Sequence, residues 1–467
     1  MFVLTGLGMA LRSGTQISVI ILSSRYFTPE EVGLAAILFG TYHLLWNWFE
    51  TAIIQTYYQL SQNHTGQYEN IRSMTLASCL IVCAAIIVLF PIYERWLPGQ
   101  GLIVISILVS IVAIRALGVL NNAELLKQLK MRIQVPIEQL TYVTGFLGAL
   151  WLCIQYDMGP LYMILGMLFS SMLSTVLLKV FTYSPGVKGI RFDRSTTKDI
   201  LSIFSGYFFG SGLNSFVREA NILFIGVLLT STAAGYYSRA AMIYMIGAYT
   251  LGQLFDRLLT PMMRRNISDS ANNTMLFEIS TLFMWIFCIP FSVILFMNSN
   301  DLIIALLGDD WVPATPILQV LSVAFAFRVL MKVNEATLRA YGEAWRRVRY
   351  YLVWVGLLIV MAYPASKIHL AGFAVAEVAG VTAFYLLSLN ASMRCAGVTW
   401  ASQLKWCWVV IFPVLAVVQT QKMVEGFESK PLALLLIGGV AVIVCCVTFV
   451  GTLRARFGSI NVIYVLR

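Results

Sequence analysis

Seven basic residues of the 467-residue chain lie inside long apolar runs: Arg12, Arg115, Arg218, Arg239, Arg257, Arg328 and Lys332. An arginine at mid-depth in lipid costs about 2.5–3.5 kcal/mol even on the lenient insertion scale, so such residues belong against a bundle interior or a watery cavity. Arg12, Arg115, Arg218 and Arg328 are the deepest, two in each half, whereas Arg239, Arg257 and Lys332 lie nearer the ends of their runs and can snorkel. The planar fork of arginine donates several charge-assisted hydrogen bonds at fixed geometry, which suits phosphate and carboxylate groups. Acids share these runs: Glu50, Glu219, Glu335 and Glu377. They can pair with the bases and fix helix packing, or Glu50, Glu219 and Glu377 can bind a coupling proton or Na⁺.

Neutral polar residues recur beside the charges at helical spacing. One run carries Tyr207, Ser211, Asn214, Ser215, Arg218 and Asn221; another carries Thr5, Arg12, Thr15 and Gln16. His43, Asn47, Glu50 and Thr51 mark a third, and Tyr244, Tyr249, Gln253 and Asp256 a looser fourth. The three histidines, His43, His64 and His369, have no metal-ligand spacing. Seven of the eight cysteines sit in apolar runs and read as small apolar residues. No metal and no cofactor is expected.

The elements that must position these groups follow from composition. Hydrophobic residues make up 59% of the chain and charged ones only 12%. A soluble chain needs roughly 25% charged residues, and a disordered one is polar and poor in aromatics. Both classes are excluded, leaving an all-α polytopic membrane protein. Each span needs about 20 apolar residues. Fourteen such spans are predicted, near 3–23, 31–55, 72–95, 101–125, 135–156, 159–181 and 199–228, then 232–260, 274–297, 311–338, 345–364, 368–393, 402–421 and 429–452. The runs are continuously apolar and too long for barrel strands. The amino terminus lacks the basic n-region and cleavage site of a signal peptide.

Alternate connections and the carboxy-terminal tail collect 20 of the 32 basic residues, while the other connections hold five. The positive-inside rule then puts both termini in the cytoplasm and accounts for the net charge of +10 without a nucleic-acid partner. The basic stretch 188–198 is the ordinary positive-inside linker, able to touch anionic headgroups. No connection exceeds about twenty residues, so any chemistry belongs within or beside the spans.

An internal repeat joins the halves. Residues 24–36 around the first turn and 226–238 around the seventh share a Thr and a Gly five apart, Thr28 and Gly33 against Thr230 and Gly235, at an offset of 202 residues. Six spans separate them, so the two hairpins run in the same direction, a parallel repeat about an axis along the membrane normal.

The same residues carry a family resemblance. SRYFTPEEVGLAAI (24–37) resembles the first-hairpin signature of oligosaccharide-lipid flippases of the MOP exporter superfamily, and REANILFIGVLLTSTAAGYYSRA (218–240) is similar to their seventh-to-eighth-helix segment. IRFDRSTTKDILSIFSG (190–206) resembles their basic linker, and LLGDDWVPATPILQVLSVAFAFRVL (306–330) their ninth-to-tenth-helix turn and tenth helix. Bacterial polysaccharide repeat-unit transporters are the most similar members. The resemblance implies a six-helix lobe at 1–182, a cytoplasmic linker at 183–198, a second six-helix lobe at 199–394, and two trailing helices with a tail at 395–467. It implies that spans 1, 2, 7 and 8 line a central cavity. The stretch Trp46-Asn47-Trp48-Phe49-Glu50 departs from the family, many of whose members are small and Gly-containing there.

The function implied is transport of a lipid-linked oligosaccharide across the bacterial inner membrane by alternating access, for cell-surface polysaccharide synthesis. The substrate's diphosphate would meet Arg12 and Arg218, with Arg239 assisting and Arg115 and Arg328 as further candidates. Gln16, Asn47, Ser211, Asn214 and Gln253 would face the glycan. Partners would be membrane lipids, a polysaccharide polymerase and a chain-length regulator. Two rivals stand: a multidrug exporter of the same superfamily, which would want a predominantly acidic cavity, and a polysaccharide polymerase or ligase, which would want a sizeable external loop. No enzyme is expected.

Overall fold

The computed structural model describes residues 2–59, 65–128, 130–182, 194–265, 270–368, 370–424 and 430–457, which are helical almost throughout with no strand among them. Most of the expected linker, 183–193, therefore lies outside the described residues, as do His64 and His369. The chain divides into two compact units, Met1–Ser238 and Arg239–Arg467.

The first unit holds α1 (Phe2–Tyr26), α2 (Pro29–Gln59), α3 (Thr65–Val88), α4 (Phe90–Trp96), α5 (Gly101–Lys127), α6 (Met131–Gln155), α7 (Tyr162–Phe181), α8 (Arg194–Leu228) and the first turns of α9 (Ser231–Arg265). The second holds the rest of α9 with α10 (Ser270–Met297), α11 (Ser299–Leu307), α12 (Thr315–Ala340), α13 (Ala344–Lys367), α14 (Leu370–Ala396), α15 (Trp400–Cys407), α16 (Ile411–Val424) and α17 (Lys430–Phe457). Every expected span falls on one of these helices or on a broken pair, α3–α4 and α15–α16. Twelve helical segments among the described residues are long and apolar enough to cross a membrane. The two expected spans outside that set are α1 and α9. At 25 residues α1 reaches about 37 Å, more than a hydrocarbon core of about 30 Å. The longer α9 carries its polar residues at helical spacing and is strongly amphipathic. The protein is a multi-pass membrane protein.

Local chemistry sets the α1–α2 corner. Thr28 and Glu31 form a capping box: Thr28 N donates to Glu31 Oε2 at 2.8 Å and Glu31 N donates to Thr28 Oγ1 at 3.4 Å, with Pro29 opening the helix. At the α8–α9 corner Ala233 N donates to Thr230 Oγ1 at 3.1 Å, the same bond 202 residues on. Val32 N to Thr28 O and Ala234 N to Thr230 O, both 3.1 Å, repeat it again. The two corners then meet. A Cβ on Gly33 would run into Ser231 O, and one on Gly235 into Pro29 O. Ser231 is the repeat equivalent of Pro29, so each corner presses on the other through the same atoms, as across a two-fold axis.

In the first unit α2 packs on α8 and α5, α6 on α7, and α1 on α6. Ile53 and Tyr57 of α2, Ile71 of α3, Val119 and Leu120 of α5 and Phe204 of α8 share one buried cluster. The bulky stretch of α2 is accommodated here. Trp46 is fully buried, and Trp48 donates its indole N–H to Phe208 O of α8 and stacks on the Phe208 ring at 5.1 Å. Room for that indole comes from Gly212, where any Cβ would overlap it. Gly212→Ala is therefore expected to cost about 1–3 kcal/mol through overpacking. Thermal unfolding in detergent checks this, and an unchanged melting temperature would mean the indole swings aside freely.

In the second unit α12 packs on α14 and α10, and α13 on α14. The α16–α17 hairpin lies on α10, where Val417, Ile437 and Ala441 bury against Val293 and Ile294.

Candidate functional site

Along α2, Gly40, His43, Asn47 and Glu50 recur at three- and four-residue spacing and share one face. His43 packs its ring on Phe39 at 4.3 Å between centroids and edge-on to Tyr42 at 5.5 Å. Its Nδ1 is buried and has no hydrogen-bond partner among the described residues. Arg218 of α8, Arg115 of α5 and Arg12 of α1 lie within electrostatic range of it. Three of the arginines inside the spans thus share the surroundings of one histidine.

They are not equivalent. Arg115 clasps both carboxylate oxygens of Glu50, at 3.1 and 3.2 Å, and donates through Nε to Ser171 Oγ of α7 at 3.0 Å. Arg12 pairs with Glu138 of α6 at 3.1 Å and lies 4.9 Å over the ring of Tyr142, whose hydroxyl hydrogen-bonds with Gln16. That pair is open, with side chains 42% and 50% exposed on the protein. Arg218 has no ion pair among the described residues, and its Nε is buried without a hydrogen-bond partner. The adjacent Glu219 sets its carboxylate against Gly40. Two of the three cations are thus matched by an acid and one is left to attract an anion.

The polar residues expected to face a glycan divide. Asn47 donates to Ser215 Oγ at 3.4 Å, and Ser211 Oγ bonds to Tyr207 O at 2.7 Å and Trp48 O at 3.4 Å; both thus tie α2 to α8. Asn214 and Gln16 are half-buried on α8 and α1. The side chains of Gln253, Tyr249, Asp256 and Arg257 in α9, and of Thr5 in α1, lie outside the described residues.

The second unit keeps its deep charges closed. Arg328 of α12 donates to Glu377 of α14 and, at 3.4 Å, to Tyr244 OH of α9, with Trp354 of α13 beneath its guanidinium at 5.1 Å. Glu335 lies between Lys332 at 2.7 Å and Arg347 at 3.5 Å, and accepts from Tyr351 OH at 2.8 Å. Arg239 is fully buried over Trp311 at 5.7 Å. No group of three metal-binding side chains exists among the described residues. The sequence named Glu50 and Glu377 as possible partners of the arginines but missed Glu138, and it saw His43 only as one member of a polar stripe.

A family profile described as polysaccharide biosynthesis protein matches residues 22–316. The teichuronic acid biosynthesis protein TuaB of Bacillus subtilis (strain 168) is 29% identical over 154 residues, which is 33% of this chain and 32% of that protein, so the match spans about a third of the curated relative. Among solved structures, the inward closed conformation of the lipid II flippase MurJ superposes with a TM-score of 0.75 at 14% identity, over 97% of this chain and 99% of that one. An inward-facing MATE-family multidrug resistance transporter of the MOP superfamily gives 0.60 at 13% identity, over 84% and 95%. The chain belongs to the polysaccharide biosynthesis protein family, and its fold is that of the MOP-superfamily flippases and exporters.

Proposed function

We propose that the protein is a flippase that carries a lipid-linked oligosaccharide from the cytoplasmic to the outer leaflet of a bacterial inner membrane, with both termini in the cytoplasm. Its two repeat-related halves, 1–182 and 199–394, would alternate access to the substrate, with 395–467 trailing. The observation that carries this reading is Arg218, a deep guanidinium with a buried, unpartnered Nε beside the charges of Arg12 and Arg115. A diphosphate supplies the acceptors such a group lacks. Arg12, in an open ion pair, can exchange Glu138 for a phosphate. Arg115 and Arg328 act first as partners of Glu50 and Glu377, which leaves those acids with the work of packing. The MATE-like fold keeps a multidrug exporter as the second reading. Export of a cationic drug would favour an unpaired deep acid, whereas Arg218, without an ion pair among the described residues, is a base.

The test is a deletion strain complemented with Arg218→Gln. Removing one charge-assisted contact forfeits roughly 1.5–3 kcal/mol, about a 10- to 100-fold loss of affinity. Lipid-linked repeat units are expected to accumulate on the cytoplasmic face and surface polysaccharide to fall. Full export by Arg218→Gln dismisses the diphosphate role. Accumulation on the outer face of the deletion strain would make the protein a polymerase instead. A polymerase and a chain-length regulator working beside it would take the product from the outer leaflet.

A further inference from the structure

We infer that His43 is a second anion ligand in this site, and that the diphosphate binds together with a proton held on its imidazole. The inference rests on the flippase reading and extends it to the residue that no charge count reveals.

Geometry comes first. His43 occupies the face of α2 between Gly40 and Asn47, the face turned to α8, and is held there by Phe39 and Tyr42. Its Nδ1 is buried and unbonded among the described residues, as is Arg218 Nε. Two buried nitrogens without partners, on adjacent helices and within electrostatic reach of each other, are costly unless something joins them. The charged and titratable groups around His43 are Tyr42 and Glu50 on α2 itself, Arg218 and Glu219 on α8, Arg115 on α5 and Arg12 on α1. Glu50 is committed to Arg115 and Glu138 to Arg12, leaving no acid bonded to the imidazole. An anion of two or more negative charges seated between Arg218 and His43 favours the imidazolium, whose two N–H groups both donate. One proton then enters from water with each diphosphate, its charge offset by that of the anion. Release of the substrate returns that proton on the side where the substrate leaves.

The test uses the full-length protein in detergent with inorganic pyrophosphate and farnesyl diphosphate as probes. Calorimetry at pH 6 to 8 in two buffers of different ionisation enthalpy reads proton uptake directly. The expected result is uptake of up to one proton per probe bound, with affinity falling as pH rises. In His43→Asn the probe should bind about 10-fold more weakly with no histidine-linked uptake, while Arg218→Gln should weaken binding at every pH. Buffer-independent binding by the wild-type protein, or the same proton uptake in His43→Asn, overturns the inference and leaves the anion site standing. Wild-type protein that binds neither probe, or binding untouched by Arg218→Gln, overturns the anion site itself and this inference with it.

Discussion

Glu377→Ala is expected to destabilise the second unit by about 3–5 kcal/mol, since it removes the carboxylate paired with a buried guanidinium. Arg328 and Glu377 are 8% and 3% exposed, so the pair is nearly sealed from solvent. Tyr244 OH touches both, at 3.4 Å from Arg328 Nη1 and 3.2 Å from the carboxylate, and can only partly fill the gap. The Trp354 face stays beneath the guanidinium, but a ring quadrupole does not neutralise a unit charge. The double substitution Arg328→Met with Glu377→Leu should recover most of the loss, because a buried ion pair exchanged for apolar side chains is often neutral in stability. Thermal unfolding of the detergent-solubilised protein checks both. If Glu377→Ala melts like the wild type, Arg328 is reached by water or an ion, and the pair is part of an open site instead of a packing device. The equivalent change at Glu50 should cost less, since Arg115 is 33% exposed and keeps Ser171 as a partner.

That contrast marks what the sequence could carry. Long apolar runs dictate helices, because a chain in lipid must satisfy its own backbone, and the expected spans duly fall on helices. Where charge interrupts a run the signal thins: α1 contains Arg12, and α9 is amphipathic, so neither meets the apolar criterion that twelve others meet. Position along a span was also readable, so the arginines inside the spans could be named. Which of them lacked a partner was not, since ion pairs join residues far apart in the chain. Arg12 and Glu138 are 126 positions apart, and Arg115 and Glu50 are 65 apart. The bulk of Trp48 was visible as a departure, but its compensation at Gly212 depends on the α2–α8 crossing. His43 belonged to a visible stripe. Its convergence with Arg218 and Arg115 needed three helices to be placed together.

The repeat is the one long-range relation that the sequence did expose, and it carries the second large effect. Gly33→Ala and Gly235→Ala are each expected to destabilise the first unit by about 3 kcal/mol, the upper end of ordinary overpacking. Backbone is the reason. A Cβ at Gly33 would lie 2.8 Å from Gly235 N, and one at Gly235 would lie 3.2 Å from Gly33 N, each beyond its collision with a carbonyl of the opposite corner. A side chain can rotate away from an intruding methyl, as Trp48 can in part, but two helix starts held by Thr28–Glu31 and Thr230–Ala233 bonds cannot. Because both substitutions open the same contact, the double variant should lose far less than the sum of the singles. A double-mutant cycle by thermal unfolding reads that coupling. Equal single effects with strong non-additivity are what a reciprocal contact between repeat-related corners requires. One neutral and one severe substitution, or simple addition of the two, would mean that the corners do not bear on each other and that the 202-residue offset is a likeness of turns alone.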